Sequence, residues 1–184
     1  MNVMDGLFLS LIIPAYKEEK RIVGTLKRIR EYLSVQNYTY EVLVVVDGAK
    51  DNTARLAQDF SQTWTDLRVI ENKINNGKGY VGRQGMLEAK GRYRVFTDAD
   101  NSTDVSHLEK LIPKLKEGFD VVIGSRDKQD IFGATQAVSQ SAFKRFLGDL
   151  GNIFIQTLVV PGIWDTQNGF KGFTTEATLK IFSK

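Results

Sequence analysis

The chain has 184 residues, 42% of them hydrophobic and 26% charged, which suits one globular domain with a substantial core. A net charge of +3 is too mild to imply nucleic acid but suits phosphate-bearing partners, and the lack of cysteine excludes disulfides and thiolate metal sites. No signal-peptide pattern opens the chain and no apolar run reaches the ~18 residues of a spanning helix, so it reads as cytoplasmic, at most resting on a membrane.

Residues 7–13 (LFLSLII) are a nearly continuous apolar run ended by Pro14, which predicts a buried strand. Residues 18–33 follow with Ile22, Leu26, Ile29 and Leu33 on one helical face and basic residues on the other. Residues 42–46 (VLVVV) form the clearest buried, parallel-type strand, β-branched and free of charge. Asp47-Gly48 breaks it, and Asp51 or Asn52 can cap a helix running to about Trp64. Residues 67–70 predict a brief third strand, 75–79 a loop, and the stretch to about Ala89 a helix.

A fourth strand is expected over residues 93–97, leading into Asp98-Ala99-Asp100. Ser102 or Thr103 can cap the next helix, whose apolar positions are Val105, Leu108, Leu111, Ile112 and Leu115. His107, one turn in, reads as a surface residue. Residues 119–123 (FDVVI) predict a fifth strand, followed by a polar stretch from Ser125 and a helix over about 137–160. The apolar stripe of that helix includes Phe143, Phe146, Leu150 and Phe154. It either packs on the sheet, the favoured reading, or partly touches a bilayer with Lys144 and Arg145 near the headgroups. The tail holds Asp165-Thr166-Gln167, a short strand near residues 170–173 and a terminal helix. Alternating strands and helices imply an α/β sandwich with a mostly parallel sheet, without internal repeat or linker.

Ligands of such sheets bind outside the carboxyl ends of the strands. There the sequence places Tyr16 and Glu18 after the first strand, Asp47 after the second, Asp98 and Asp100 after the fourth and Arg126 after the fifth. Several strand ends each delivering a polar group argue for one site. Glycine is missing where a dinucleotide fold needs it, and no P-loop or nucleophile elbow exists. One histidine is too few for a histidine metal site. Gly79, Gly82 and Gly85 read as helix-packing positions.

Asp98 and Asp100, two apart in an extended segment, point the same way, and a hard divalent ion resolves their repulsion. Lys78 and Arg126 could then neutralise phosphates, while Asp47 and Glu18 accept hydrogen bonds from a base or ribose. This is equipment for a nucleotide-activated substrate.

Five segments in this order carry a resemblance: residues 14–19 (PAYKEE), 46–53 (VDGAKDNT), 76–79 (NGKG), Asp98-Ala99-Asp100 and Gly124-Ser125-Arg126, followed by 165–171 (DTQNGFK). The chain resembles family 2 glycosyltransferases of the GT-A fold, and within them the dolichyl-phosphate and polyprenyl-phosphate sugar synthases, nearest the β-glucosyltransferase branch. That resemblance covers about residues 9–181. It implies an α/β/α sandwich with a mostly parallel central sheet, and a single catalytic domain over residues 1–184. Relatives usually continue past the position of Lys184, so the domain is expected to be cut short at its C-terminal end.

The resemblance also implies roles. Pro14, Tyr16, Glu18 and Asp47 would frame the nucleoside, and Asp98 and Asp100, with Ser102 where mannose-transferring relatives have a glutamine, would bind Mg²⁺ or Mn²⁺ and the donor diphosphate. Arg126 with Lys144 or Arg145 would hold the acceptor or leaving phosphate, and Asp165 and Gln167 would lie near the sugar or acceptor. The implied reaction is inverting transfer of a hexose, from UDP-glucose in preference to GDP-mannose, to a dolichyl or polyprenyl phosphate at the cytoplasmic face of a membrane. The alternatives are a family 2 transferase acting on a sugar hydroxyl in cell-surface polysaccharide synthesis, or a nucleotide-sugar-binding protein without turnover. Departures from the family pattern include Lys17 for asparagine, Val46 for a second aspartate, Ala49 for serine, and the bulky Tyr80 and Val81 after Gly79.

Overall fold

A computed structural model describes residues 6–125, 165 and 168–184. The chain forms two compact units, one of Met1–Val122 with Phe170–Lys184 and a second of Ile123–Gly169. In chain order the elements are β1 (Leu9–Ala15), α1 (Ile22–Ser34), β2 (Tyr40–Asp47), α2 (Thr53–Ser61), β3 (Leu67–Asn72), α3 (Lys78–Glu88), β4 (Tyr93–Phe96), a 3₁₀ turn (Val105–His107), α4 (Leu108–Lys116), β5 (Val121–Ile123), β6 (Lys171–Thr174) and α5 (Thr175–Phe182). The sheet runs β3-β2-β1-β4-β6-β5. β1 pairs in parallel with β2 and β4, β2 with β3, and β6 returns antiparallel to β4. The mixed α/β sheet is therefore mostly parallel, as the alternating pattern predicts.

Both faces of the sheet are covered, which is why its central strands read as unbroken apolar runs. Leu9, Leu11 and Ile13 of β1, with Val42, Val44 and Val46 of β2, face the core shared with α1, α2 and α4. The alternate residues turn to the other face: Ile12 packs with Met86, and Leu43 and Val45 with Val81 of α3. On α1 the predicted stripe of Ile22, Leu26, Ile29 and Leu33 is buried, each side chain contributing about 1.5–3 kcal/mol. Close packing of α3 on the sheet depends on Gly85, where a Cβ would lie 2.5 Å from Ile12 Cγ2.

Several boundaries differ from expectation. β1 does not stop before Pro14 but runs through it to Ala15, in register with Val45 and Val46 of β2. Proline is tolerated because β4 ends opposite Ile12, so β1 beyond that point has a strand partner on one side only. α1 starts at Ile22, since residues 18–21 make a separate turn in which the Glu18 carbonyl accepts from Arg21 and Ile22. The expected cap of the fourth helical segment is also corrected: Asp104, and neither Ser102 nor Thr103, accepts from the Ser106 N–H at 2.9 Å. The helix expected over 137–160, with Phe143, Phe146, Leu150 and Phe154, lies outside the described residues.

Candidate active site

The carboxyl ends of β1, β2 and β4 deliver three loops to one edge of the sheet. After β4 the alternation of side chains persists through the turn: Thr97 and Ala99 are buried, whereas Asp98 and Asp100 face outward. Ala99 is pinned from above, its carbonyl accepting from Thr25 Oγ1 of α1 at 2.8 Å. Thr97 donates its N–H to Ile12 of β1 at 2.9 Å. These inward anchors fix the backbone, so the two aspartates project together without strand hydrogen bonding of their own. Asn101 turns the chain after them at φ 54°, a left-handed conformation that asparagine accepts readily. Asp100 Oδ1 then accepts from the Ser102 N–H at 2.9 Å, which makes the contact with Ser102 a backbone one.

Each aspartate faces a cation from another segment. Lys78 Nζ lies 2.6 Å from Asp98 Oδ1, and Arg21 Nη1 3.9 Å from Asp100 Oδ2. Arg21 is itself held by Glu18 through two bonds of 2.7 and 3.0 Å. A pair of outward carboxylates matched by two exposed cations is a hard-oxygen donor set that takes positive charge, and it fits a divalent ion that also binds phosphates. Among the described residues no group of three or more acidic, histidine or cysteine side chains is gathered for a metal.

Asp47 is buried at the end of β2, and both its oxygens are engaged. Oδ1 accepts from the Asn76 N–H and Oδ2 from the Gly77 N–H, each at 2.8 Å. The loop before α3 is thereby bound to the β2 end. Gly48 closes the same junction at φ 61°: a Cβ there would lie 2.4 Å from the carbonyl carbon of Ile74. Only glycine satisfies both conditions.

The loop after β1 is tied to the start of α2 by a second set of bonds. Glu18 N–H donates to Thr53 Oγ1 at 2.8 Å and Glu19 N–H to Asp51 Oδ2 at 3.3 Å, while Asn52 N–H returns to Glu19 Oε2 at 3.0 Å. Burial pushes the Asp51 carboxyl up, but bonds from the Thr53 hydroxyl and N–H and from Glu19 outweigh it and hold the group below the usual carboxylate range. Beside this junction lies an open cleft of about 710 Å³ lined by Lys17, Glu18, Arg21 and Lys50 among others. Tyr16 is exposed, with Lys17 Nζ 5.2 Å from its ring centroid. Lys17 holds φ 57°, a strained position for a residue other than glycine or asparagine.

The structure thus brings Pro14, Tyr16, Glu18, Asp47, Lys78, Asp98 and Asp100 to the same edge of the first unit. Asp165 lies half-buried in the second unit. Arg126, Lys144, Arg145 and Gln167 are outside the described residues. His107 is exposed, as expected, and packs edge-on to Phe170. Sequence reasoning missed Arg21 and Thr25. Only the three-residue spacing from Glu18 signalled the arginine, and nothing local signalled that Thr25 would reach Ala99, 74 positions away.

The model of Glycosyl transferase family 2 matches residues 10–180. A dolichyl-phosphate beta-glucosyltransferase of Dictyostelium discoideum is 35% identical over 193 aligned positions, covering 98% of this chain and 58% of the relative. The chain therefore spans little more than half the length of the curated relatives it matches. Among solved structures, mannosyl-3-phosphoglycerate synthase from Rubrobacter xylanophilus superposes with a TM-score of 0.67 at 19% identity, over 92% of this chain and 54% of the other. A mannosyltransferase from Pyrobaculum calidifontis, solved with GDP-Man and Mn²⁺, gives a TM-score of 0.56 at 23% identity over 71% of this chain and 39% of its own. The shared fold is GT-A.

Proposed function

The chain belongs to glycosyl transferase family 2, and from that premise we propose that it moves glucose from UDP-glucose to a dolichyl or polyprenyl phosphate with inversion at the anomeric carbon. The observation that carries this reading is the outward pair Asp98 and Asp100, matched by Lys78 and Arg21 at the carboxyl edge of the sheet. The relatives named as dolichyl-phosphate beta-glucosyltransferases support the choice of sugar and acceptor. In this proposal residues 1–184 act as one catalytic domain.

Asp98 and Asp100 would hold Mg²⁺ or Mn²⁺, which when bound neutralises charge on the departing diphosphate. The protein's own groups do the positioning. Tyr16 and Pro14 border the nucleoside, and Asp47 shapes the loop that flanks it while offering its remaining lone pairs to a base N–H. Glu18 fixes Arg21 beside the aspartates, and Lys78 supplies an ammonium at phosphate reach. Arg126, with Lys144 or Arg145, is assigned to the acceptor phosphate, and Asp165 and Gln167 to the sugar or acceptor.

No general base is needed for this acceptor. A phosphate monoester has a second pKa of about 6, so at neutral pH its dianion is already the nucleophile. The oxygen–carbon bond to the sugar forms as the bond to the nucleoside diphosphate breaks. What the site must do is bring two anions together and dry the reacting atoms. No helix among the described residues is long and apolar enough to cross a membrane. We assign the protein to the cytoplasmic face, where exposed Ile74 before α3 and Tyr80 in its first turn offer apolar surface to a membrane that carries the lipid acceptor.

Incubation with UDP-glucose, Mn²⁺, a short polyprenyl phosphate and a free oligosaccharide as competing hydroxyl acceptor tests the reading. Glucosylated lipid phosphate is the expected product. Glucose appearing only on a sugar hydroxyl acceptor, or UDP-glucose bound without turnover, would overturn it.

A further inference from the structure

The contact between Lys78 and Asp98 joins two groups that the proposed chemistry uses separately, and its meaning rests on that proposed reading. Lys78 is the first residue of α3, and its side chain is 66% exposed, whereas that of Asp98 is 25% exposed. Their contact of 2.6 Å is the shortest that either aspartate of the pair makes with a cation among the described residues. The root of the lysine is fixed, because Asp47 binds the backbone N–H of Asn76 and Gly77 immediately before it. Among the described residues its four-carbon arm is held at the tip, by Asp98 and with the Phe96 ring centroid 5.9 Å from Nζ.

We propose that Lys78 is an exchangeable counter-ion, which neutralises Asp98 before the donor arrives and passes to the donor's diphosphate when the metal takes its place. An ammonium 2.6 Å from Asp98 Oδ1 repels a divalent ion on the same carboxylate, so a bare ion binds beside Lys78 or displaces it, at a cost either way. An ion arriving with a diphosphate brings negative charge within the lysine's reach, and the displaced ammonium gains a new partner. Lys78 therefore opposes binding of the ion alone and favours binding of ion and nucleotide together. That opposition of signs at one residue couples the two ligands. Arg21 does not share the role: it stands 3.9 Å from Asp100, and Glu18 already holds it in two bonds.

The test measures Mn²⁺ binding from the electron paramagnetic signal of the free ion, and UDP binding by calorimetry in Mn²⁺. Lys78→Met is expected to bind Mn²⁺ without nucleotide roughly fivefold more tightly than wild type, the equivalent of losing one partly exposed ion pair. In Mn²⁺ it should bind UDP roughly tenfold more weakly, having lost a charge-assisted hydrogen bond. Lys78→Gln, which keeps a helix-favouring side chain of similar length, should show the same two signs, and Lys78→Arg should stay near wild type in both. A neutral variant that binds bare Mn²⁺ no more tightly than wild type overturns the exchange and leaves the transferase reading standing. Wild-type protein that binds UDP equally in Mn²⁺ and in EDTA overturns the reading itself, and the exchange with it.

Discussion

The two ends of the parallel sheet both carry ionic clusters, but they are built from different parts. At the amino end of the strands, Glu41 of β2 accepts from Ser10 Oγ at 2.6 Å and from the Lys90 N–H at 2.7 Å, with Arg68 at 3.5 Å. Ser10 Oγ in turn accepts from the Gly91 N–H, and buried Arg94 donates to the carbonyls of Met86 and Gly91. Apart from Arg68, the partners are backbone groups or short or buried side chains. At the carboxyl end, Asp98 and Asp100 are balanced by long, exposed cations, Lys78 and Arg21. A cluster tied mainly to backbone fastens secondary structure together; an acid such as Asp98, balanced by one exposed lysine, can exchange that cation for a ligand.

Mutation should separate the two clusters. The largest effect expected is on turnover: Asp100→Ala should lower the rate of glucosyl transfer by roughly 100-fold or more, in line with loss of a group that positions transition-state charge, with the thermal midpoint nearly unchanged. A radiolabel-transfer assay with saturating Mn²⁺ measures it. Glu41→Ala should do the reverse, destabilising the fold by about 2–3 kcal/mol because the Ser10 hydroxyl and Lys90 N–H lose a shared acceptor. Urea unfolding reads this directly, and UDP affinity of the folded variant should stay at the wild-type value.

Gly48→Ala touches the carboxyl end without touching a charge. Its Cβ would meet Ile74 backbone at a positive φ, so a loss of about 2 kcal/mol is expected. Calorimetric unfolding checks it, and loosening of the Asp47-anchored loop should weaken UDP binding as well. The smallest effect concerns pH. Bonds from the Ser106 hydroxyl and N–H hold the Asp104 carboxyl below the usual carboxylate range. A depressed folded-state pKa gives stability that is full above the unfolded value and lost as pH falls through the folded one. The acid limb, below about pH 4, should therefore shift slightly in Asp104→Asn, with no change near neutrality.

The sheet was legible in the sequence because its central strands are buried on both faces: residues 42–46 carry no charge, and β2 extends them only by flanking residues. The strand ends were legible for the same reason, since polar residues such as Asp98 appear where burial stops. Partners were not. Nothing in a linear chain says that Lys78 will meet Asp98 or that Thr25 will hold Ala99, because those contacts depend on how loops from different strands close over one edge. Local geometry also decided the helix cap: Asp104 sits in extended backbone directly before the 3₁₀ turn, a place that Ser102 and Thr103 miss by one or two residues. Pro14 misled for a related reason, since a proline inside β1 is harmless only once β4 is known to end opposite Ile12.

The central claim is that the carboxyl-end acids bind a nucleotide through a divalent ion while the amino-end cluster only supports the fold. Isothermal titration of UDP into wild type, Asp100→Ala and Glu41→Gln, each in Mn²⁺ and in EDTA, tests it most directly. The account predicts Mn²⁺-dependent binding in wild type and Glu41→Gln and at least tenfold weaker binding in Asp100→Ala. Equal UDP affinity in EDTA and Mn²⁺ for wild type, or unchanged affinity in Asp100→Ala, would contradict it.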